Sequence, residues 1–252
     1  MAFNAERSNQ VRSSAEKSDQ AKSTDKSLTQ IRSTTWKFWN SLYFLTMDDG
    51  PLDHLQQVEA ACKAGIRWIQ LRMKQAGADE FLETAQAARK ICDIAGCALI
   101  INDRVEIAAR VKADGVHLGK FDMPPGEARR LLGDDFVIGA TANTAQDIRE
   151  HYQAGADYVG LGPYRFTTTK KNLSPILGLE GYQRIMEELR QDSIEIPVIA
   201  IGGIGTADMP ILLQTGVQGI AFSGLLLQAG DKEATVRSME EQIQKIRYSG
   251  IL

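Results

Sequence analysis

From Leu42 onward, short apolar runs alternate with longer segments whose apolar residues recur at helical spacing. The runs are Leu42–Met47, Ile66–Met73, Ala98–Ile101, Gly115–Leu118, Phe136–Ala140, Tyr158–Leu161, Val198–Ile201 and Gly219–Phe222. Among the segments between them are Leu52–Ala64, Ala78–Ala95, Thr144–Ala154, Leu179–Arg190 and Ala207–Gln214. The runs read as buried strands and the segments as amphipathic helices. Strict strand–helix alternation implies a parallel sheet covered by helices. Eight such units in about 210 residues predict a single (β/α)8 TIM barrel, at the small end of its size range. A doubly wound open sheet is the alternative, but no glycine fingerprint follows the first strand.

One run departs from a plain buried strand. In Ile66–Lys74, IRWIQLRMK, side chains alternate between two faces. Arg67, Ile69, Leu71 and Met73 share one face, which is apolar from Ile69 to Met73. Trp68, Gln70, Arg72 and Lys74 share the other, placing an amide and two cations on successive pleats. A buried unpaired charge is costly, so this row calls for an anionic ligand; an edge strand with a wet face is the plain alternative.

The barrel tells where chemistry belongs, because its active sites lie at the C-terminal mouth, where strands end and loops begin. Polar residues gather there. Gln70, Arg72 and Lys74 close the second strand, and Asn102 and Asp103 the third. Lys120 and Asp122 follow the fourth, and Thr141 the fifth. Thr167, Thr168, Thr169 and Lys170 follow the sixth, Gly202 and Gly203 the seventh, and Ser223 and Gly224 the eighth.

Residues 1–40 are of another kind: Ser, Gln, Lys and Asn with recurring basic-Ser pairs and few large apolar side chains until Trp36. Such a segment has too little to bury and is expected to form a disordered extension to the catalytic barrel of residues 41–252. Residues 1–39 hold seven Lys/Arg and four Asp/Glu, so they carry +3 of a total of −3 and leave −6 on the remainder. That balance argues against a nucleic-acid or membrane partner. Three cysteines with no CxxC pair, no run long enough to span a bilayer and no secretory layout point to a reduced, cytoplasmic setting.

Arg72, Lys74 and Lys170 bring three cations to one mouth, with a planar fork and point charges suited to phosphate oxygens. Asp103 and Asp122 follow adjacent strands and could share Mg2+, which keeps part of its water shell and leans on substrate phosphates. Salt bridges or an acid/base pair are the other uses of the same two carboxylates. Zinc is not expected, since no His/Cys cluster has ligand spacing. His117 lies inside a strand and reads as a satisfied core histidine, while His54 and His151 fall on helices. A second anion site is expected at Gly202–Gly203 and Ser223–Gly224, because loops seven and eight of this fold commonly offer backbone N–H groups to a phosphate. Two anions at one mouth, one of them a metal-bound leaving group, suggest transfer of a carbon group from a diphosphate to a phosphorylated acceptor.

In order and spacing, QLRMK, IINDR, DGVHLGKFD, IGAT, GPYRFTTTKK, IPVIAIGGIG and GIAFSG resemble the thiamine-phosphate synthase family over residues 42–247. The resemblance implies coupling of 4-amino-5-hydroxymethyl-2-methylpyrimidine diphosphate to 4-methyl-5-(2-hydroxyethyl)thiazole phosphate. Diphosphate leaves first, and the thiazole nitrogen captures the pyrimidinylmethyl cation. By the same resemblance, Gln70, Arg72, Lys74, Asn102, Thr141 and Lys170 hold the pyrimidine diphosphate, with Arg72, Lys74 and Lys170 catalytic. Asp103 and Asp122 match magnesium ligands, and Thr167, Thr169, Gly203, Ser223 and Gly224 match the thiazole-phosphate site. The chain departs from the pattern at Thr141, where Ser is usual, at Ser223-Gly224, where the hydroxyl moves by one residue, and at the polar Tyr164-Arg165. Alternatives of related fold are a thiazole tautomerase, which does not need the diphosphate apparatus, and another phosphate-binding barrel isomerase or synthase. A binding protein using the same pocket is a further reading, and a homo-oligomer is left open.

Overall fold

The computed structural model describes residues 42–167 and 174–248, the side chains of residues 247–248 excepted. The polar extension expected at residues 1–40 lies outside the described residues, as do Thr168, Thr169 and Lys170 of the sixth loop. The strands are β1 (Leu42–Leu45), β2 (Trp68–Leu71), β3 (Ala98–Asn102), β4 (Gly115–Leu118), β5 (Val137–Ala142), β6 (Tyr158–Leu161), β7 (Val198–Ile201) and β8 (Gly219–Phe222). All pairings are parallel, and β1 bonds both β2 and β8, so the sheet closes into the expected barrel. The helices are α1 (His54–Ala64), α2 (Ala78–Ala95), α3 (Val105–Val111), α4 (Pro125–Leu132), α5 (Ala145–Gln153), α6 (Gly178–Gln191), α7 (Met209–Gln214), α8 (Gly224–Leu227) and α9 (Lys232–Tyr248). None is long and apolar enough to cross a membrane.

Period two divides each strand between two cores. Phe44, Ile69, Leu71, Leu99, Ile101, Val116, Ile138, Val159 and Val198 are buried in the layer shared with the helices. Tyr43, Trp68, Gln70, Ile100, Tyr158 and Ile199 alternate with them and fill the barrel interior. There Trp68 stacks on Tyr43 with ring centroids 3.8 Å apart, and both meet Tyr158 edge-on. Gly139 makes the room, since a Cβ at that position would lie 2.0 Å from Cζ of Tyr158.

The closed end is held by a repeated device. The Asp114 N–H donates to the Leu99 carbonyl, and its carboxylate accepts the Leu99 N–H at 2.7 Å. Asp157 does the same with Ile138, and Gln218 does so with Val198 through its amide oxygen. Arg89 of α2 and Arg129 of α4 neutralise the two carboxylates. Each such residue locks the strand it precedes in register with the strand before it, fixing which residues reach the mouth.

The ladders also move some expected strand ends. β1 stops at Leu45 because Thr46 turns its hydroxyl to the backbone of β2, accepting the Arg72 N–H at 2.9 Å. β5 continues to Ala142, and β3 to Asn102, because their partners keep offering backbone groups after the apolar run ends. Thr141 and Asn102 are therefore strand residues rather than loop residues.

Candidate active site

Arg72 emerges from β2 half-buried. Burial lowers the pKa of its guanidinium, and Asp48 and Asp103 oppose that shift. Arginine remains charged under such pressure, so β2 delivers a fixed cation to the mouth. The strand end is braced from β1. Besides holding the Arg72 N–H, Thr46 Oγ1 lies 3.0 Å from His54 Nδ1. Asp48 accepts the Lys74 N–H at 3.1 Å and faces His54 Nε2 at 3.3 Å. Thr46, Asp48 and His54 carried no motif that pointed to this role, which arises only when β1 and β2 pair.

Lys74 and Asp103 are in direct contact through Nζ and Oδ2. The salt bridge foreseen as one use of these carboxylates is therefore formed, at the rim and with Lys74 about half exposed. Burial pushes the Asp103 carboxyl up, the adjacent Asp122 carboxylate adds to this, and Lys74 opposes it. Asp103 holds a left-handed backbone at φ 64°, with its N–H on the His117 carbonyl, a conformation that short polar side chains tolerate. Asp122 is aimed by its own loop: its Oδ2 accepts the Gly119 N–H at 2.6 Å, where a Cβ on Gly119 would leave only 2.8 Å.

The two carboxylates thus adjoin, next to cations. No group of three or more His, Cys, Asp or Glu among the described residues could hold a metal ion. Among the described residues Asp103 and Asp122 are the carboxylates that would be the metal's ligands, with water and phosphate supplying the remainder. That donor set fits Mg2+ bound together with a diphosphate better than a metal caged by protein.

Deeper in the barrel a polar chain crosses the interior. The Gln70 amide N–H donates to the Tyr43 hydroxyl at 2.7 Å, and the Tyr43 and Tyr158 hydroxyls are 2.8 Å apart. His117 Nδ1 lies 2.9 Å from the Tyr158 hydroxyl, and His117 Nε2 lies 3.1 Å from Thr141 Oγ1. With the amide on Tyr43, the bonds run one way if each group donates to the next, which places the imidazole proton on Nε2. His117 is a satisfied interior histidine, as its strand position suggested, with both ring nitrogens engaged. Gln70 Oε1 is buried, and no donor reaches it among the described residues. Burial pushes both tyrosine pKa values up, so both hydroxyls stay protonated. Tyr43 and Tyr158 looked like ordinary apolar-run residues in the sequence; only closure of the barrel makes them neighbours.

Asn102 is buried at the end of β3, where its register partner is His117. After β7, Gly202 and Gly203 both have left-handed backbones, φ 98° and 69°. A Cβ on Gly203 would lie 2.8 Å from the Phe166 carbonyl oxygen, so only glycine fits where loop six crosses loop seven. Ser223 and Gly224 follow at the end of β8, and Gly224 opens α8. Thr167 is half-buried where the described part of loop six ends.

The closed parallel barrel, with charged residues and glycines gathered at its C-terminal mouth, has the architecture of a (β/α)8 enzyme. The sequence profile of thiamine monophosphate synthase matches residues 42–226. A thiamine-phosphate synthase of Bacteroides fragilis is 51% identical over 191 residues, covering 76% of this chain and 94% of its own. One of Bacteroides thetaiotaomicron is 49% identical over 199 residues, covering 79% and 95%. Among solved structures, thiamine phosphate pyrophosphorylase of Pyrococcus furiosus superposes with a TM-score of 0.71 at 31% identity, covering 81% of this chain and 96% of that one. The chain belongs to the thiamine monophosphate synthase family, and the activity of that membership is thiamine-phosphate synthesis, a transferase reaction.

Proposed function

We propose that this chain joins 4-amino-5-hydroxymethyl-2-methylpyrimidine diphosphate to 4-methyl-5-(2-hydroxyethyl)thiazole phosphate, with Mg2+, in the cytoplasm. The observation that carries the reading is the pairing of Asp103 and Asp122 beside Arg72 and Lys74, which follow the strand that sends Gln70 into the buried polar chain. A tautomerase has no use for that concentration of charge, and a barrel isomerase needs an acid/base pair rather than two carboxylates already beside a lysine.

In this reading Gln70 Oε1 accepts a hydrogen bond from the pyrimidine amino group, and Thr141 and Asn102 complete the ring's surroundings. Arg72, Lys74 and, from its place in the sequence, Lys170 hold the diphosphate oxygens. Asp103 and Asp122 are the residues that would hold Mg2+, which when bound would supply positive charge to the diphosphate. The C–O bond breaks with its electron pair leaving on diphosphate, and the fixed cations stabilise the charge that builds there. The thiazole nitrogen then gives its lone pair to the pyrimidine methylene carbon. Gly203, Ser223, Gly224, Thr167 and Thr169 hold the thiazole phosphate so that this nitrogen faces the carbon. No side chain serves as nucleophile.

The test is direct: purified protein, both substrates and Mg2+, with thiamine phosphate and diphosphate measured together. Equal amounts of both products are expected. No thiamine phosphate under conditions where a family member makes it would overturn the proposal.

A further inference from the structure

Arg165 stands where the chain departs from the family pattern, and the structure gives it a defined seat. Its guanidinium grips Asp208 with both ends of the fork, Nη1 to Oδ2 at 2.5 Å and Nη2 to Oδ1 at 2.7 Å. Asp208 is buried in the 3-10 turn after β7 and also accepts the Gly205 N–H at 2.9 Å. The Arg165 guanidinium lies over the Tyr164 ring, 4.7 Å from its centroid, and that ring meets Tyr182 edge-on. The backbone is fastened too: the Tyr164 N–H donates to the Ile201 carbonyl at 3.0 Å and the Arg165 N–H to the Gly202 carbonyl at 2.9 Å. A Cβ on Gly203 would lie 3.0 Å from Arg165 Cβ. The start of loop six therefore runs alongside the glycine pair, and one bidentate ion pair ties the loops together on either side of it.

We propose that Arg165 is a positioning residue for the thiazole phosphate: by clamping Asp208 it holds the Gly202–Gly203 turn in the shape that receives that phosphate. The inference rests on the reading of Gly203 as part of the thiazole-phosphate cradle. The physical reason is stiffness. Two left-handed glycines in succession have many accessible conformations, and a phosphate cradle works only when its backbone is set before the ligand arrives. A planar fork on a buried carboxylate fixes orientation as well as distance, which an ammonium on a flexible stem does not.

The experiment is steady-state kinetics on Arg165→Met and Arg165→Lys, each substrate varied in turn. Small misplacements of a substrate-holding group cost up to about 100-fold. Arg165→Met is expected to raise KM for the thiazole phosphate about tenfold, while kcat and KM for the pyrimidine diphosphate stay within about twofold. Arg165→Lys should fall between the wild type and Arg165→Met. Asp208→Asn should match Arg165→Met, and the double variant should be no worse than either single one, because both remove the same contact. If Arg165→Met is poorly folded, Arg165→Lys carries the test alone, since it keeps the charge and loses the fork. A wild type that makes no thiamine phosphate sinks the parent reading. An active wild type whose Arg165→Lys and Arg165→Met variants raise both KM values equally, or neither, overturns the positioning role by itself.

Discussion

The Gln70 amide N–H donates to the Tyr43 hydroxyl at 2.7 Å, and this bond decides which end of the amide remains for a ligand. The carbonyl oxygen is left buried without a donor among the described residues. An unmet buried acceptor costs about 1–3 kcal/mol, which a ligand donor recovers. Gln70→Met should therefore raise KM for the pyrimidine diphosphate about 10- to 100-fold and leave KM for the thiazole phosphate nearly unchanged. Steady-state kinetics with each substrate varied checks it; equal effects on both would place Gln70 elsewhere in the mechanism.

Tyr43 and Tyr158 make stability depend on alkaline pH. Burial raises both phenols above their ordinary value of 10.0 in the folded chain. A raised phenol means that the folded state keeps protons the unfolded chain releases, so the contribution is complete below pH 10 and is lost as pH rises beyond it. Melting temperatures should be level on this account from about pH 8 to 10 and fall steeply above. Tyr43→Phe should lower the neutral-pH melting temperature, because it strands the Gln70 amide, and flatten the alkaline fall. A variant with the wild-type slope would show that other groups govern it.

Asp103 and Asp122 should set the magnesium requirement. Asp122→Asn keeps the size of the side chain and removes one anionic ligand. The Mg2+ concentration giving half-maximal rate should rise by about tenfold or more, with saturation partly restoring turnover. Titrating rate against Mg2+ measures this. A magnesium curve identical to the wild type would return the two carboxylates to a salt-bridge role.

Asp114 and Asp157 do the same job at the closed end in different surroundings, which separates their energies. The Asp157 side chain is 8% exposed and bonded to Arg129, whereas that of Asp114 is 43% exposed beside Arg89. Removing one partner of a buried pair costs about 3–5 kcal/mol, and breaking an exposed pair about 1 kcal/mol or less. Asp157→Ala should accordingly destabilise the barrel by several times more than Asp114→Ala. Urea unfolding of the two variants settles the order, and equal midpoints would mean that burial does not decide it.

The positions where expectation and structure differ are instructive. Gly115–Leu118 and Val198–Ile201 have the expected bounds, because an apolar run and a hydrogen-bond ladder end together there. At Thr46 and Thr141 they do not: a hydroxyl ends one strand by bonding its neighbour's backbone, and the other lies inside a strand because β6 keeps pairing. Hydrophobic pattern marks what is buried, whereas strand length depends on a partner distant in sequence.

The sequence by itself determined the barrel, the mouth and most of the residues assigned to it. Strand–helix alternation, a polar face on one strand, a glycine pair after the seventh strand and Ser-Gly after the eighth are all local patterns, and local patterns are legible along a chain. Only the tertiary structure decided that Gln70, Tyr43, Tyr158, His117 and Thr141 form one hydrogen-bonded chain, that Lys74 meets Asp103, and that Arg165 clamps Asp208 beside the glycine pair. Those contacts join residues many positions apart, on different strands or in the loops that follow them. Their distances are set by closure and register of the sheet, quantities that no single stretch of sequence contains.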